Sequence, residues 1–263
     1  MVTVNDICRA LFDAAPEYMK MDWDNVGLMC GWADSAVTRV LVSLDATMDA
    51  LEEARQNGCE LVVSHHPMIF GGIKSVTSET ATGKDLLFAI QNGISVISMH
   101  TNLDCAHGGV NDVLARTLGL LDIHVMKPEG QDAQGQDYGL LRVGTVDETP
   151  LADFAARVKR LLGCEGLRYA DGGKPVRTVA VGGGACGSEI ASAIAHGCDT
   201  LVTADLKYHE FADAPYLGVN LIDAGHFQTE NPVCGYLAEL LSAKFGEVTV
   251  MRSQRHGDQI HFL

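Results

Sequence analysis

Aromatic residues make up only 6% of this 263-residue chain, and no apolar run approaches the ~18 residues a bilayer-spanning helix requires. A transmembrane helix is therefore not expected. The shortage of aromatics does not imply disorder, because 47% of the residues are hydrophobic and 20% are charged, an ordinary balance for a globular enzyme. Positive charge is also scarce: 19 Lys and Arg stand against 34 Asp and Glu, for a net charge of −15. Without a basic stripe the term that dominates nucleic-acid affinity is missing, so extended binding to DNA or RNA is not expected. Bound cations would offset part of that charge, although acidity alone more often marks a solvated surface. The eight cysteines (Cys8, Cys30, Cys59, Cys105, Cys164, Cys186, Cys198, Cys234) include no CxxC pair and read as reduced, mostly buried small hydrophobes. The N-terminal stretch MVTVNDICRALFDAAPEY lacks a basic segment followed by an apolar one, and a cytoplasmic location is the simplest expectation.

The length suffices for a full core in one large α/β domain or two smaller ones. Short β-branched runs alternate with helical spacing, the pattern of mostly parallel strands joined by crossover helices. Strands are predicted at 39–44, 60–64 and 94–99, with helices at 47–57, 84–92 and 109–119. The polar stretch 129–137 (EGQDAQGQD) has neither period and reads as a domain boundary or long loop. A second series follows: strand 139–146, helix 150–162, strand 177–181, helix 187–196, strands 199–203 and 219–223, helix 229–245 and a strand near 247–251. The expected division is a first lobe of residues 1–126, completed by 231–263, and a second lobe of residues 127–230.

Reactive residue types gather where the apolar strands end. Asp45 follows LVSL, His65 and His66 follow LVVS, and His100 and Asp104 follow VISM. Asp205 lies beyond LVTA, and Asp223 and His226 follow NLI. Ligands of open parallel sheets bind beyond the carboxyl ends of the strands, so these groups are candidates for one cleft.

Five of them form a metal-ligand set. Side chains of successive strand residues point to opposite faces, but at a strand end, here before Pro67, His65 and His66 can fan toward two neighbouring ions. Asp104 supplies a carboxylate after a strand. His226 and Glu230, four residues apart, share one face of a helix start, where both reach one small site. Taken alone, each has a plain structural explanation: a pair of surface histidines, a turn carboxylate, a helix-start glutamate. Together, three imidazoles and two carboxylates suit Zn, Mn, Fe, Co or Ni. A dinuclear site would place two divalent ions ~3.5–4 Å apart, where they act jointly on water.

Other groups are secondary candidates. His100 would serve as a catalytic group or orient a ligand carboxylate. His209 and Glu210, in DLKYHE, are candidates for proton transfer or substrate contact, with a surface helix start as the alternative. The run Gly182–Gly187 lacks a Walker lysine and GxGxxG spacing, and reads as a tight strand-to-helix turn first and a phosphate contact second. Trp23-Asp24-Asn25-Val26-Gly27 reads as a turn with an aromatic anchor.

The ordered motifs WDNVGL, VSHHPMIF, SMHTNLD, VAVGGGACG, DLKYHE and GHFQTE span nearly the whole chain. In them the sequence resembles the NIF3-like proteins, also labelled GTP cyclohydrolase I type 2 homologues. The resemblance implies two α/β lobes with a dinuclear metal site in the cleft between them. It implies His65 and Asp104 on one ion, His66 and His226 on the other, and Glu230 spanning both. It further implies a ring-shaped homo-oligomer, usually a hexamer, here in the compact form without an inserted domain. Ala204 departs from the more typical TGD or TGE pattern, and Ala185-Cys186 extend the glycine turn. Two functions follow as expectations. One is a metal-dependent hydrolase of a small molecule such as a nucleotide, by GTP cyclohydrolase-type or phosphoester chemistry. The other is a non-catalytic metal-binding, metal-delivery or scaffold protein.

Overall fold

The computed structural model describes residues 1–263. In chain order it forms α1 (Val4–Ala14), β1 (Gly27–Cys30), β2 (Arg39–Ser43), α2 (Met48–Gln56), β3 (Leu61–Ser64), α3 (Ala81–Gln91), β4 (Ser95–Ser98) and α4 (Thr101–Cys105). There follow α5 (Val110–Thr117), β5 (Leu121–Val125), β6 (Gly130–Gln131), β7 (Asp137–Tyr138), β8 (Arg142–Thr149), α6 (Leu151–Leu162), β9 (Arg168–Ala170) and β10 (Val176–Val181). The rest is α7 (Ile190–Ala195), β11 (Thr200–Thr203), α8 (Tyr208–Leu217), β12 (Asn220–Asp223), α9 (His226–Glu230), α10 (Val233–Lys244) and β13 (Thr249–Arg252). No helix is long and apolar enough to cross a membrane.

The chain divides into two compact units, Met1–His107 with Val233–Gly257, and Gly108–Pro232 with Asp258–Leu263. The change of unit falls at 107/108 rather than at 126/127, because β5 pairs with β8 and α5 packs on β8 and β10. The polar stretch 129–137 lies inside the second unit, where β6 and β7 close it into a small hairpin.

The first unit is built on a five-stranded sheet in the order β1-β4-β3-β2-β13, parallel except for β1. Alternate residues face opposite sides of a strand. Leu41, Val62 and Val96 thus share one face and meet Ala50, Leu51 and Ala54 of α2 and Ala89 of α3 in one apolar cluster. The odd-and-even partners Val40, Val42, Val63 and Ile97 are buried from the other side, and α10 lies against β2 and β13. Both faces being covered, β3 and β4 read as continuous apolar runs. Helix α1 begins at a capping box in which Asp6 N donates to Thr3 Oγ1 (3.2 Å) and Thr3 N donates to Asp6 Oδ2 (2.9 Å).

Glu53 ties the C-terminal return to α2. Its carboxylate accepts from Ser253 Oγ (2.5 Å), Gln254 N (3.0 Å) and Arg255 N (3.2 Å). Burial pushes its pKa up, but these bonds and the Arg255 charge outweigh that and leave it below the ordinary 4.5. A depressed carboxylate contributes stability that is present above the unfolded value and lost as pH falls through the folded one. Glu53→Gln is therefore expected to lower stability by about 1–2 kcal/mol at pH 7, with the gap to wild type closing as pH falls below about 4. Urea melts at both pH values check this.

The second unit is mixed rather than mostly parallel. Its six strands run β5-β8-β10-β11-β12-β9, with only β10-β11 and β11-β12 parallel. Its largest fully buried side chain is Arg142. Arg142 Nε donates to Asp112 Oδ1 at 2.9 Å and one terminal nitrogen donates to Gly139 O at 2.6 Å. The cysteines fit the sequence reading: six are buried and two half-buried, and burial pushes the Cys59, Cys164 and Cys198 thiols up to about 11.

Candidate metal centre

In the first unit three parallel strands end level with one another. Ser43 pairs with Ser64, and Ser64 with Ser98. Each of the first two serines folds its hydroxyl onto the carbonyl two residues on, Ser43 onto Asp45 O (2.7 Å) and Ser64 onto His66 O (2.8 Å). Backbone N–H groups of His65 and His66 both donate to Leu44 O. The chain thus turns out of the sheet at one edge, and the two adjacent rings fan apart to 4.9 Å between centroids. Nitrogens of His65, His66 and His100 lie within 4.8 Å of one another.

The ring nitrogen pointing away from this cluster is anchored in every case. His65 Nδ1 faces Met99 O at 2.8 Å, His66 Nδ1 faces Asp45 Oδ1 at 2.7 Å, and His100 Nδ1 faces Asp24 Oδ1 at 2.7 Å. Carbonyl and carboxylate oxygens only accept, so the Nδ1 of each ring carries a proton and a neutral ring presents a lone pair at Nε2. Both carboxylates are held ionised. Burial pushes Asp24 up, yet bonds from His100 and Thr101 outweigh it and leave it at about 2. Asp45 is likewise driven well below the usual range by His256 and His66 against its burial. Buried Asp104, on the one-turn helix α4, sets Oδ1 3.6 Å from His65 Nε2. That is too long for a hydrogen bond, and close to the ~3.3–3.5 Å between two donors on one tetrahedral ion.

In the second unit β11 and β12 end at Thr203 and Asp223. His226 and Glu230 lie on α9, a separate single turn rather than the start of one long helix. Pro232, which has no N–H to donate, interrupts the chain before α10. The i,i+4 geometry survives, with His226 Nε2 3.0 Å from Glu230 Oε2. His226 Nδ1 faces Asp205 Oδ2 at 2.7 Å, repeating the arrangement of the first unit. Asp205 itself has φ +55, a left-handed conformation that aspartate tolerates better than most residues.

The glycine turn takes a third role. Three of its amides are used within the unit: Gly183 N donates to Asn111 Oδ1 (2.7 Å), Gly184 N to Thr229 Oγ1 (3.1 Å) and Cys186 N to Thr203 Oγ1 (3.0 Å). Gly184, at φ +64, instead makes room for Glu230 and His226, since a Cβ there would run into Glu230 Oε1 and come within 3.1 Å of the His226 ring. Glu210 is a helix cap, accepting from Lys207 N at 2.6 Å, and His209 is exposed beside Tyr208. Asp223 staples a turn by accepting from Leu206 N and Gly225 N and pairing with Arg168.

The sequence model of the Duf34/NIF3 (NGG1p interacting factor 3) family matches residues 2–258. The chain belongs to the Duf34/NIF3 family. Among its relatives, a GTP cyclohydrolase 1 type 2 homolog of Clostridium perfringens is 32% identical over 263 residues, covering 99% of each chain. A GTP cyclohydrolase 1 type 2 of Helicobacter pylori (strain 26695) is 32% identical over 92% of each. The crystal structure of a Bacillus cereus protein related to NIF3 superposes with a TM-score of 0.93 at 26% identity, covering 100% of this chain and 99% of that one.

Two features of this Duf34/NIF3 chain escaped sequence reasoning. Asp24, Asp45 and Asp205 orient histidines distant in sequence, and only the placement of Asp45 and Asp205 after strands hinted at them. Trp23 is not a buried anchor: it is 61% exposed and stands with exposed Phe70 (ring centroids 5.7 Å) against His100.

Proposed function

We propose that His65, His66, Asp104, His226 and Glu230 hold a pair of divalent metal ions, and that the protein is a metal-dependent hydrolase of a small molecule such as a nucleotide. His65 and Asp104 would hold one ion, His66 and His226 the other, and Glu230 both. The carrying observation is the repeated histidine geometry: His65, His66 and His226 each have Nδ1 fixed on an oxygen, which makes Nε2 the nitrogen that would bind metal. The 3.6 Å spacing of His65 and Asp104 and the space kept by Gly184 fit the same reading. A mixed nitrogen and oxygen set suits Zn, Mn, Fe, Co or Ni.

Bound divalent ions supply Lewis acidity and lower the pKa of water, the chemistry that hydrolysis needs. The chain's own residues supply the rest. Asp24 fixes the His100 ring, leaving Nε2 to take or return a proton at the reacting group. Trp23 and Phe70 offer exposed planar faces beside it, on which the ring of a nucleotide can stack. The names of the Clostridium and Helicobacter relatives support GTP as the first substrate to try.

Metal-loaded protein is expected to turn over GTP or a phosphoester, with Asp104→Ala lowering kcat/KM by 100-fold or more and His100→Gln by about 10²-fold. A panel of nucleotides, phosphomonoesters, phosphodiesters and cyclic amides, followed by product chromatography, checks this. No turnover by fully metal-loaded protein would favour the non-catalytic metal-binding alternative. The homohexameric ring implied by the family belongs to the same proposal. Sedimentation as a hexamer would support it, and a monomer would remove it.

A further inference from the structure

Within the first unit, Asp45 is gripped from two sides. Its Oδ1 accepts from His66 Nδ1 at 2.7 Å, and its Oδ2 lies 2.8 Å from Nε2 of His256, a residue in no motif noted in the sequence. The His256 side chain is only 6% exposed. The two atoms lie at hydrogen-bond distance, so His256 holds this second oxygen. The segment carrying it is built to arrive there. Ser253 N donates to Val42 O (2.8 Å), Ser253 Oγ and the next two amides bind Glu53, and His256 N donates back to Ser253 Oγ (3.0 Å).

The need for a second partner follows from carboxylate torsion. The χ2 rotation of aspartate is broad, so one hydrogen bond leaves the group free to swing and to exchange its oxygens. Contacts on both oxygens fix it. The neighbouring Asp24 is treated the same way: Oδ1 takes His100, and Oδ2 takes Thr101 N at 3.0 Å together with the Thr101 hydroxyl. For Asp45 the second clamp is His256.

We propose that His256 is a positioning residue which, by holding one oxygen of Asp45, fixes the other on His66 Nδ1 and so sets the tautomer and direction of the His66 Nε2. The consequence for metal binding rests on the function proposed above. The consequence for the tautomer does not.

Both are read on the full chain. In metal-free wild type, nitrogen-15 NMR is expected to show His66 protonated at Nδ1. In His256→Phe, which keeps ring volume but cannot contact the carboxylate, a mixture of tautomers is expected. Zinc affinity, by chelator competition, should fall about 10-fold for one of two ions. His256→Gln, whose amide can donate to Asp45, should restore most of both. If His256→Phe fails to fold, His256→Asn, too short to reach Asp45, replaces it with the same expectation. An unchanged His66 tautomer overturns the proposal, as does an unchanged zinc affinity in protein that binds two ions. Should wild type bind no zinc, the proposed function fails, and the tautomer alone still decides for or against His256.

Discussion

A Gly184→Ala variant is expected to lose about 100-fold in metal affinity while remaining folded. Two effects act at this position. An L-residue at φ +64 costs about 1–2 kcal/mol, and the new methyl enters the space of Glu230 Oε1 and the His226 ring. The side chains must give way, and they are the two second-unit groups proposed as ligands. Removing an outer-shell support commonly costs 10–100-fold in affinity, so displacing a ligand itself sits at or beyond the upper end. Gly163→Ala separates the two effects. Gly163 has a similar φ of +69 but nothing within 4 Å of the added carbon. It should lose comparable backbone stability and bind metal as wild type does. Chelator competition on both variants checks this. Equal affinities in the two would show that the turn does not support the site.

Arg142→Ala is expected to destabilise the protein by about 3–5 kcal/mol, the typical result of stripping one partner from a buried ion pair. Asp112 would keep its buried charge and the Gly108 amide but lose the guanidinium that neutralises it. Arg142→Met, which refills the volume, leaves the same charge stranded and should recover only part of the loss. The double variant Arg142→Met/Asp112→Leu removes the charge as well and should recover most of it. Urea unfolding gives all three values, and a loss below about 1 kcal/mol for Arg142→Ala would show that solvent reaches Asp112 readily.

The parts of the molecule legible in the sequence were those with a local signature. Apolar runs such as LVVS and VISM are buried on both faces, so they read as strands to within a residue or two, and the polar residues at their ends gave the candidate ligand set. Helix α1 carried a capping box but no preceding strand to frame it. The antiparallel partners β5, β8 and β9 depend on pairings with strands distant in sequence, which is why the second sheet read as more parallel than it is. The break between α9 and α10 turns on Pro232, whose effect was outweighed in the reading by the helical spacing around it. Glu210, which the sequence left open between proton transfer and a helix start, caps α8, because a carboxylate three residues into a helix serves equally well in either role. The roles of Asp24, Asp45, Asp205 and His256 were hidden for one reason: each acts on a partner brought to it only by the fold.

The most direct test is manganese titration of the metal-free protein, followed by electron paramagnetic resonance at two equivalents. Two ions sharing Glu230 are expected to bind at close to two per chain and to give an exchange-coupled spectrum, which becomes uncoupled in Glu230→Gln. Near-zero binding, or two equivalents with the uncoupled signal of isolated ions in wild type, would contradict a shared dinuclear centre.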